Sequence, residues 1–531
     1  MNLLAHASHQ ALKLVCRNAD QRFKKQCLRL EQVQRQKLAK ILSQLHLFET
    51  QEGIKQYESF AAQWPLTRYS DWKERIEHMR QGQQGLSRSK LVRYQPTSGS
   101  SESIKFIPYY QDFLNELDSA IGPWLSSMYH LHPKLQRGSH YWSISWLPES
   151  QRHLLTDTNL NDDSVLLGWG KRILSQYTQA VPSEVAFADS AEDALFATLC
   201  YLVADAHLSM LSVWSPTFAL QLLDNIPLWG EEIVQVLSTG HWGKRQQSLA
   251  QVRAPKSRSR AYVLERLLKK TLIDWQALWP DLCLVSCWDT AGATTWAQQL
   301  QSRLPFAKFE GKGLWATEGV VTIPYDGHYP LAYQSHFYEF ENLVTGKIVP
   351  SWQLKLGDEV SPILTTGSGL IRYCMDDHLV VSKFYGSLPC FTFKGRRFGV
   401  DLVGEKLDPD AALKTLQRAA QSVADCKPVS LLAIDTQGQA KPYYLAVFEG
   451  GKNNLPCAKL VDHCLKQNFH YELARNLNQL APAQSICVDD GWQYYKQLAM
   501  HSGMIEGNIK PEPLKKIYIN DLIPAQIMAE L

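Results

Sequence analysis

Between residues 17 and 47 the apolar positions Leu30, Val33, Leu38, Ile41, Leu42 and Leu45 recur at spacings of three and four among Arg, Lys and Gln. That period lays one apolar stripe along a helix and predicts a long amphipathic helix with a solvated basic face. From Trp142 to Leu237, Trp-, Leu- and Ala-rich segments such as 191–214 are interrupted by Pro216, Pro227 and Gly230, which predicts a helical layer. Short apolar runs at 282–288, 314–323, 331–340, 360–366 and 378–385 lie between Gly, Pro and Asp turns and read as strands. Helices and strands then share one large α/β body of mixed sheets with packed helices. Gly395 and Gly399 bracket Arg396 and Arg397 after the last of these strands and mark a boundary, dividing the chain into residues 1–396 and 397–531. Beyond it, Asp408-Pro409 is an N-cap and first-turn pair for a helix carrying Ala412, Leu413, Leu416, Ala420 and Val423. Strands at 431–436 and 443–449 and helices at 457–467 and 471–480 complete a smaller α+β C-terminal domain.

Composition narrows the function. A chain of 531 residues, 45% hydrophobic and 11% aromatic, buries a large core, so bulk disorder is excluded. Fifty-five Lys plus Arg stand against 52 Asp plus Glu, a net charge of +3, too balanced for a protein whose main partner is nucleic acid. No run of about 18 apolar residues occurs, and Met1 to Cys16 carries His6, His9 and Lys13 without a leader's apolar stretch. The expectation is a soluble cytoplasmic protein with no membrane partner. The 11 cysteines include no CxxC, which suits a reduced cytosolic set. Cys283 and Cys287, four apart in a strand-like run, read as small buried hydrophobes rather than metal ligands.

The common catalytic signatures are absent. There is no GxxxxGK[ST], HExxH or GxSxG, and neither Gly311-Lys312-Gly313 nor Gly367-Ser368-Gly369 continues into GxGxxG. What remains is Thr97-Ser98-Gly99-Ser100-Ser101-Glu102-Ser103-Ile104-Lys105. Hydroxyls and backbone N–H groups around one glycine, followed by a lysine, can wrap a phosphate chain; the same letters also make a solvated serine-rich turn.

Four further blocks follow in order: Gly313-Leu314-Trp315-Ala316-Thr317-Glu318-Gly319, Ser335-His336-Phe337-Tyr338-Glu339-Phe340, Gly369-Leu370-Ile371-Arg372-Tyr373-Cys374-Met375-Asp376-Asp377 and Asp401-Leu402-Val403-Gly404-Glu405-Lys406-Leu407. Together with the serine-rich loop, the set resembles the auxin-responsive Gretchen-Hagen-three family of acyl acid amido synthetases, bacterial-type members above all, within the acyl-adenylate-forming superfamily. The resemblance implies that Thr97, Ser98, Gly99, Ser100, Ser101 and Lys105 bind ATP phosphates, although Glu102 and Ser103 stand where the family has glycines. It implies that Thr317 bonds the α-phosphate and that Glu318 holds Mg²⁺, a hard cation suited to one carboxylate plus phosphate oxygens. Leu314 occupies the position of the family's adenine-stacking aromatic. Asp377 would accept the ribose hydroxyls, with Asp376 at a family glycine position, and Arg396 would reach the ribose or phosphate. Lys510, in Gly507-Asn508-Ile509-Lys510-Pro511, matches a mobile lysine that enters the site and steadies developing charge. Read bare, Thr317-Glu318 is a strand end, Asp376-Asp377 a turn and Lys510 a surface-loop lysine.

The implied reaction joins a small carboxylic acid to an amino acid or other amine, with ATP and Mg²⁺, through an acyl-AMP; the smaller domain is expected to rotate between half-reactions. Trp214 and Phe218, in the helix-rich segment, are candidates for the acid pocket or for plain core. Two other readings compete: an adenylate-forming ligase with a thiol acceptor such as coenzyme A or a carrier protein, and a non-catalytic relative.

Overall fold

The computed structural model describes residues 3–46, 56–96, 105–144, 146, 174, 176–397, 399, 400, 402, 403, 405, 407–437, 439–450, 456, 458–476, 479–501, 504 and 509–521. The predicted phosphate-loop residues Thr97, Ser98, Gly99, Ser100 and Ser101, and Gly507-Asn508 before Lys510, lie outside the described residues.

The chain opens with two helices, Leu3–Gln26 and Leu30–Gln44, joined by a 3-10 turn at Cys27–Arg29. The single helix predicted over 17–47 is thus divided, and its first part begins far upstream. Tertiary contacts explain the early start: Leu12 and Cys16 pack with Ile121, Leu125 and Met128, and the buried His9 ring meets Tyr129 Oη at 2.9 Å and the Gly138 carbonyl at 2.7 Å. A buried histidine satisfied by distant groups leaves no helical period to read.

Strands β1 (Leu91–Pro96) and β2 (Phe106–Tyr110) form a hairpin ladder that pairs Pro96 with Phe106, directly flanking the serine-rich loop. Strands β3 (Ser139–Trp142), β4 (Leu208–Ser212), β5 (Leu284–Cys287) and β6 (Lys308–Gly311) make a parallel sheet in chain order. A small hairpin follows, β7 (Trp315–Ala316) with β8 (Gly319–Val320). Then β9 (Phe337–Asn342), β10 (Ile348–Pro350), β11 (Glu359–Thr365), β12 (Tyr373–Cys374), β13 (Asp377–Tyr385) and β14 (Leu388–Arg396) build an antiparallel sheet. The C-terminal sheet is mixed, in the order β17 (Gln484–Val488), β16 (Tyr443–Glu449), β15 (Lys427–Asp435) and β18 (Leu514–Tyr518). Helices Pro409–Ala420, Ala458–Leu465, Phe469–Asn476 and Gly491–His501 accompany it. The molecule is the mixed α/β, two-domain architecture that the alternation of elements predicts.

Three expectations need correction. Residues 191–214 hold a helix (Ala191–Ala204) and then the strand β4, which was hidden because all five of its residues are buried and a strand covered on both faces shows no alternation. The single strand expected at 314–323 is the β7–β8 hairpin, with Thr317-Glu318 as its turn. Gly395 and Arg396 lie inside β14 rather than in a loop after the strands. The Asp408 cap is as predicted, its Oδ1 accepting from the Ala411 N–H at 2.8 Å. No described helix is long and apolar enough to cross a membrane.

Candidate active site

Gly313 (φ +74°) reverses the chain after β6 beside the Thr322 carbonyl, where a Cβ would come within 2.7 Å. The next turn presents Thr317 and Glu318. Tyr109 Oη donates to the Thr317 carbonyl at 2.9 Å, and Tyr373 Oη donates to Glu318 Oε1 at 3.4 Å. On the far side of the hairpin the Val320 N–H donates to His336 Nε2 at 3.1 Å, and His336 Nδ1 lies 2.8 Å from Glu116 Oε2. Because Nε2 accepts, the ring proton belongs on Nδ1, which donates to Glu116. Burial pulls the imidazole below its usual value, so this neutral tautomer is the resting form. Gly319 is required by close approach: a Cβ there would stand 2.9 Å from His336 Nε2 and from Leu364 Cδ1. Leu314, which the resemblance set at the place of an adenine-stacking aromatic, is buried in the core.

Arg372 and Asp376 both adopt positive φ, +46° and +60°. Asp376 therefore occupies a left-handed backbone position of the kind a glycine fills, and Asp is among the side chains that tolerate it. Its carboxylate pairs with Arg68. The Arg372 guanidinium is a structural lock, donating from Nε and Nη2 to the two Glu339 oxygens at 2.9 Å each and to the Ala61 carbonyl at 2.9 Å.

Asp377 opens β13 directly across from Arg396 on β14, the two residues being register partners. Only 7% of Asp377 is exposed. Burial pushes its carboxyl up to about 7; Glu318 and Asp376 add to the shift, while Arg396 and Lys510 oppose it. Lys510 is half-buried, with Nζ 5.7 Å from the Trp288 ring centroid. Burial and then Arg396 hold its ammonium below the ordinary lysine value, against the pull of Glu512 and Asp377. The C-terminal lysine thus sits within electrostatic reach of the β13–β14 pair. The Trp296 and Trp492 rings, 6.2 Å apart, add a contact between the two parts of the chain.

The structure brings together Glu318, Asp377, Arg396 and Lys510, with Thr317 beside them in sequence on the same turn. Lys105 is half-buried just before β2, its ammonium 5.8 Å from the Tyr69 ring centroid. The Trp214 carbonyl accepts from the Trp288 N–H at 3.0 Å, and the Trp214 ring centroid lies 5.0 Å from Lys312 Nζ. Phe218, by contrast, is half-buried against the core of the parallel-sheet layer. Cys287 is buried and Cys283 half-buried, and among the described residues no cluster of three or more His, Cys, Asp or Glu could hold a metal. Sequence reasoning missed Tyr109, Glu116, Trp288 and Lys312, which reach their places only by long-range packing. Tyr373 was within sight, as the residue after Arg372 in a quoted block.

Residues 19–308 match the GH3 family N-terminal domain and residues 329–396 match the GH3 family central domain. No curated protein matches the chain by sequence. Among solved structures, a GH3.15 acyl acid amido synthetase superposes with a TM-score of 0.76 over 96% of this chain and 94% of its own, at 16% identity. An AtGH3.15 acyl acid amido synthetase in complex with 2,4-DB gives a TM-score of 0.75 over 94% of each chain, at 17% identity. At such identities the likeness is one of fold. The N-terminal domain match alone spans more than half of the sequence, and the chain belongs to the GH3 family.

Proposed function

We propose that this chain is an ATP-dependent acyl acid amido synthetase, a carbon–nitrogen ligase that forms AMP. The observation that carries the reading is the meeting of Glu318, Asp377, Arg396 and Lys510, drawn from a hairpin turn, two sheet strands and the C-terminal segment. A carboxylate oxygen attacks the α-phosphorus of ATP, the bond to the β-phosphate breaks and pyrophosphate leaves. An amine, most simply that of an amino acid, then attacks the acyl carbon, loses a proton and expels AMP. Such displacements depend chiefly on positioning and charge neutralisation.

In this reading ionised Asp377 accepts the ribose hydroxyls, and Arg396, its register partner, neutralises phosphate or ribose-side charge. Thr317 and Lys105, with the Thr97 to Ser101 loop, contact the phosphates. Glu318 supplies the one protein carboxylate that Mg²⁺ needs when phosphate oxygens fill its other positions, and the ion would neutralise phosphate charge. The donor chemistry fits, since Glu318 offers carboxylate oxygens, one accepting from Tyr373 Oη at 3.4 Å, with Asp377 near enough to feel its charge. Lys510 steadies charge as the acid attacks, and residues 397–531 turn about the hinge near Arg396 and Arg397 between the two half-reactions. The work belongs in a reducing cytoplasm, and the closer kinship is with bacterial-type members of the family.

The test is AMP and pyrophosphate release from Mg·ATP across aryl and aliphatic acids, each with and without amino acids, with coenzyme A as a parallel acceptor. Release that needs an acid and rises with an amino acid supports the synthetase. Release that rises only with coenzyme A replaces it with a thioester ligase, and silence with every pair together with no ATP binding replaces it with a non-catalytic relative.

A further inference from the structure

The helix Gln111–Leu131 places Phe113 and Glu116 one turn apart, so both side chains lie on one face. That face meets His336. The Phe113 ring stacks on the imidazole, with centroids 5.5 Å apart and planes 18° from parallel, and Glu116 Oε2 accepts from Nδ1 at 2.8 Å. The ring so held turns Nε2 toward the Val320 N–H, 3.1 Å away. Glu318 stands two residues before Val320, at the turn of the β7–β8 hairpin. Glu116 also reaches a second segment: its Oε1 and Oε2 accept from the Gly367 N–H at 3.1 and 3.0 Å. Gly367 lies in a turn closed by the Thr366 N–H on the Leu370 carbonyl at 3.0 Å, and Thr365 Oγ1 accepts from the Arg372 N–H at 3.0 Å. The next residue is Tyr373, whose Oη donates to Glu318 Oε1.

Two routes that part at Glu116 therefore meet again at Glu318, one through His336 and β8, the other through the segment 365–373. Burial gives these bonds their weight: Glu116 is 6% exposed and His336 not at all. A carboxylate that deep costs free energy that an apolar side chain would avoid. Lys37, half-buried on the helix Leu30–Gln44, feels its charge: burial holds the Lys37 ammonium below the ordinary lysine value, against the pull of Glu116. No step of the proposed reaction uses Glu116 as an acid or a base. What it supplies is geometry, a common acceptor for donors from two separate segments, each of which would be left unsatisfied in the core without it.

We propose that Glu116 and His336 are positioning residues for Glu318, fixing that carboxylate from both sides at the place where it meets Mg²⁺ on the nucleotide. The inference rests on the amido synthetase reading and extends it from the residues that touch the nucleotide to the pair behind them. Partners that orient a metal ligand are worth about ten- to a hundredfold in metal affinity.

Amide hydrogen exchange of the full chain without nucleotide, read by mass spectrometry on peptides covering 314–323 and 365–371, tests the positioning without turnover. In His336→Asn the side-chain N–H stands in for Nδ1 and still donates to Glu116, but the Val320 N–H loses its acceptor. Exchange over 314–323 should rise about tenfold while 365–371 stays protected. In His336→Gln the amide oxygen takes the place of Nε2, and protection of the hairpin should return. Glu116→Leu removes the common acceptor, and both peptides should exchange faster. By calorimetry, the factor by which Mg²⁺ tightens ATP binding should fall about ten- to a hundredfold in His336→Asn and Glu116→Leu and recover in His336→Gln, with the affinity for Mg²⁺-free ATP held within about threefold. An unchanged hairpin in His336→Asn, equal losses in the Asn and Gln variants, or a metal effect that survives both disruptive substitutions would overturn the pair's role. The two His336 variants decide the matter alone if Glu116→Leu does not fold. Exchange that follows this pattern in a chain that binds no ATP sinks the synthetase and leaves the positioning, whereas acid-dependent AMP release from a chain whose hairpin ignores both residues does the reverse.

Discussion

Replacing Asp377 by Asn should make the free protein more stable and at the same time unable to hold ATP. Burial is the main reason that the Asp377 carboxyl rises from 3.8 to about 7, with Glu318 and Asp376 contributing. Between those two values the folded state binds a proton that the unfolded chain does not, so stability falls as pH rises through the window and levels off above about pH 8. Relative to the unfolded chain this carboxyl costs on the order of 4 kcal/mol at pH 8, where the folded state holds it ionised, and on the order of 1–2 kcal/mol at pH 5, where the folded state must hold it protonated. A neutral amide of the same shape avoids that cost. Thermal unfolding of wild type and Asp377→Asn without nucleotide should therefore show the variant melting higher, with the gap wider at pH 8 than at pH 5. The ATP-induced rise in melting temperature should disappear in the variant, and in the wild type it should shrink below about pH 7 as the carboxyl protonates. A variant that melts lower than wild type at pH 8, a gap that does not grow with pH, or an undiminished ATP shift would refute the reasoning.

Lys510→Met should slow acyl-adenylate formation by about a hundred- to a thousandfold while sparing aminolysis of a supplied acyl-AMP, as single-turnover assays of the two half-reactions would report. Gly319→Ala forces a methyl against His336 and Leu364, each 2.9 Å from the new atom, and should cost about 1–3 kcal/mol in urea unfolding and weaken ATP binding by shifting Glu318. Asp376→Gly removes a surface ion pair with Arg68 and a left-handed side chain together. It should leave stability within about 1 kcal/mol and tighten ATP binding at pH 7 by calorimetry, because Asp377 loses a repelling neighbour. Unchanged or weaker binding would show that Asp376 does not act through Asp377.

What the sequence disclosed depended on how each segment is buried. Strand β13 alternates buried and half-buried positions over Asp377 to Val381, and the period of two is legible. Strand β4 is buried at every position, so Leu208 to Ser212 merged with the apolar helix before it. Asp408 was legible because a cap is local chemistry, one side chain and an N–H three residues on. The Glu116–His336 bond joins residues 220 positions apart, and the rings of Trp124, Trp142 and Trp214 around Lys312 come from three separated segments. No local pattern encodes contacts of that kind. Glu318 and Asp377 were singled out through the order of short blocks, and the left-handed backbone of Asp376, φ +60°, shows only in the structure.

The most direct test of the central claim is mass spectrometry of the products when the chain is given Mg·ATP, an aromatic acid and a mixture of amino acids, with AMP quantified in the same reaction. The account predicts an N-acyl amino acid formed in equal amount to AMP, absent when the acid or ATP is withheld. AMP accumulating with no amide, or no product with any acid, would contradict it.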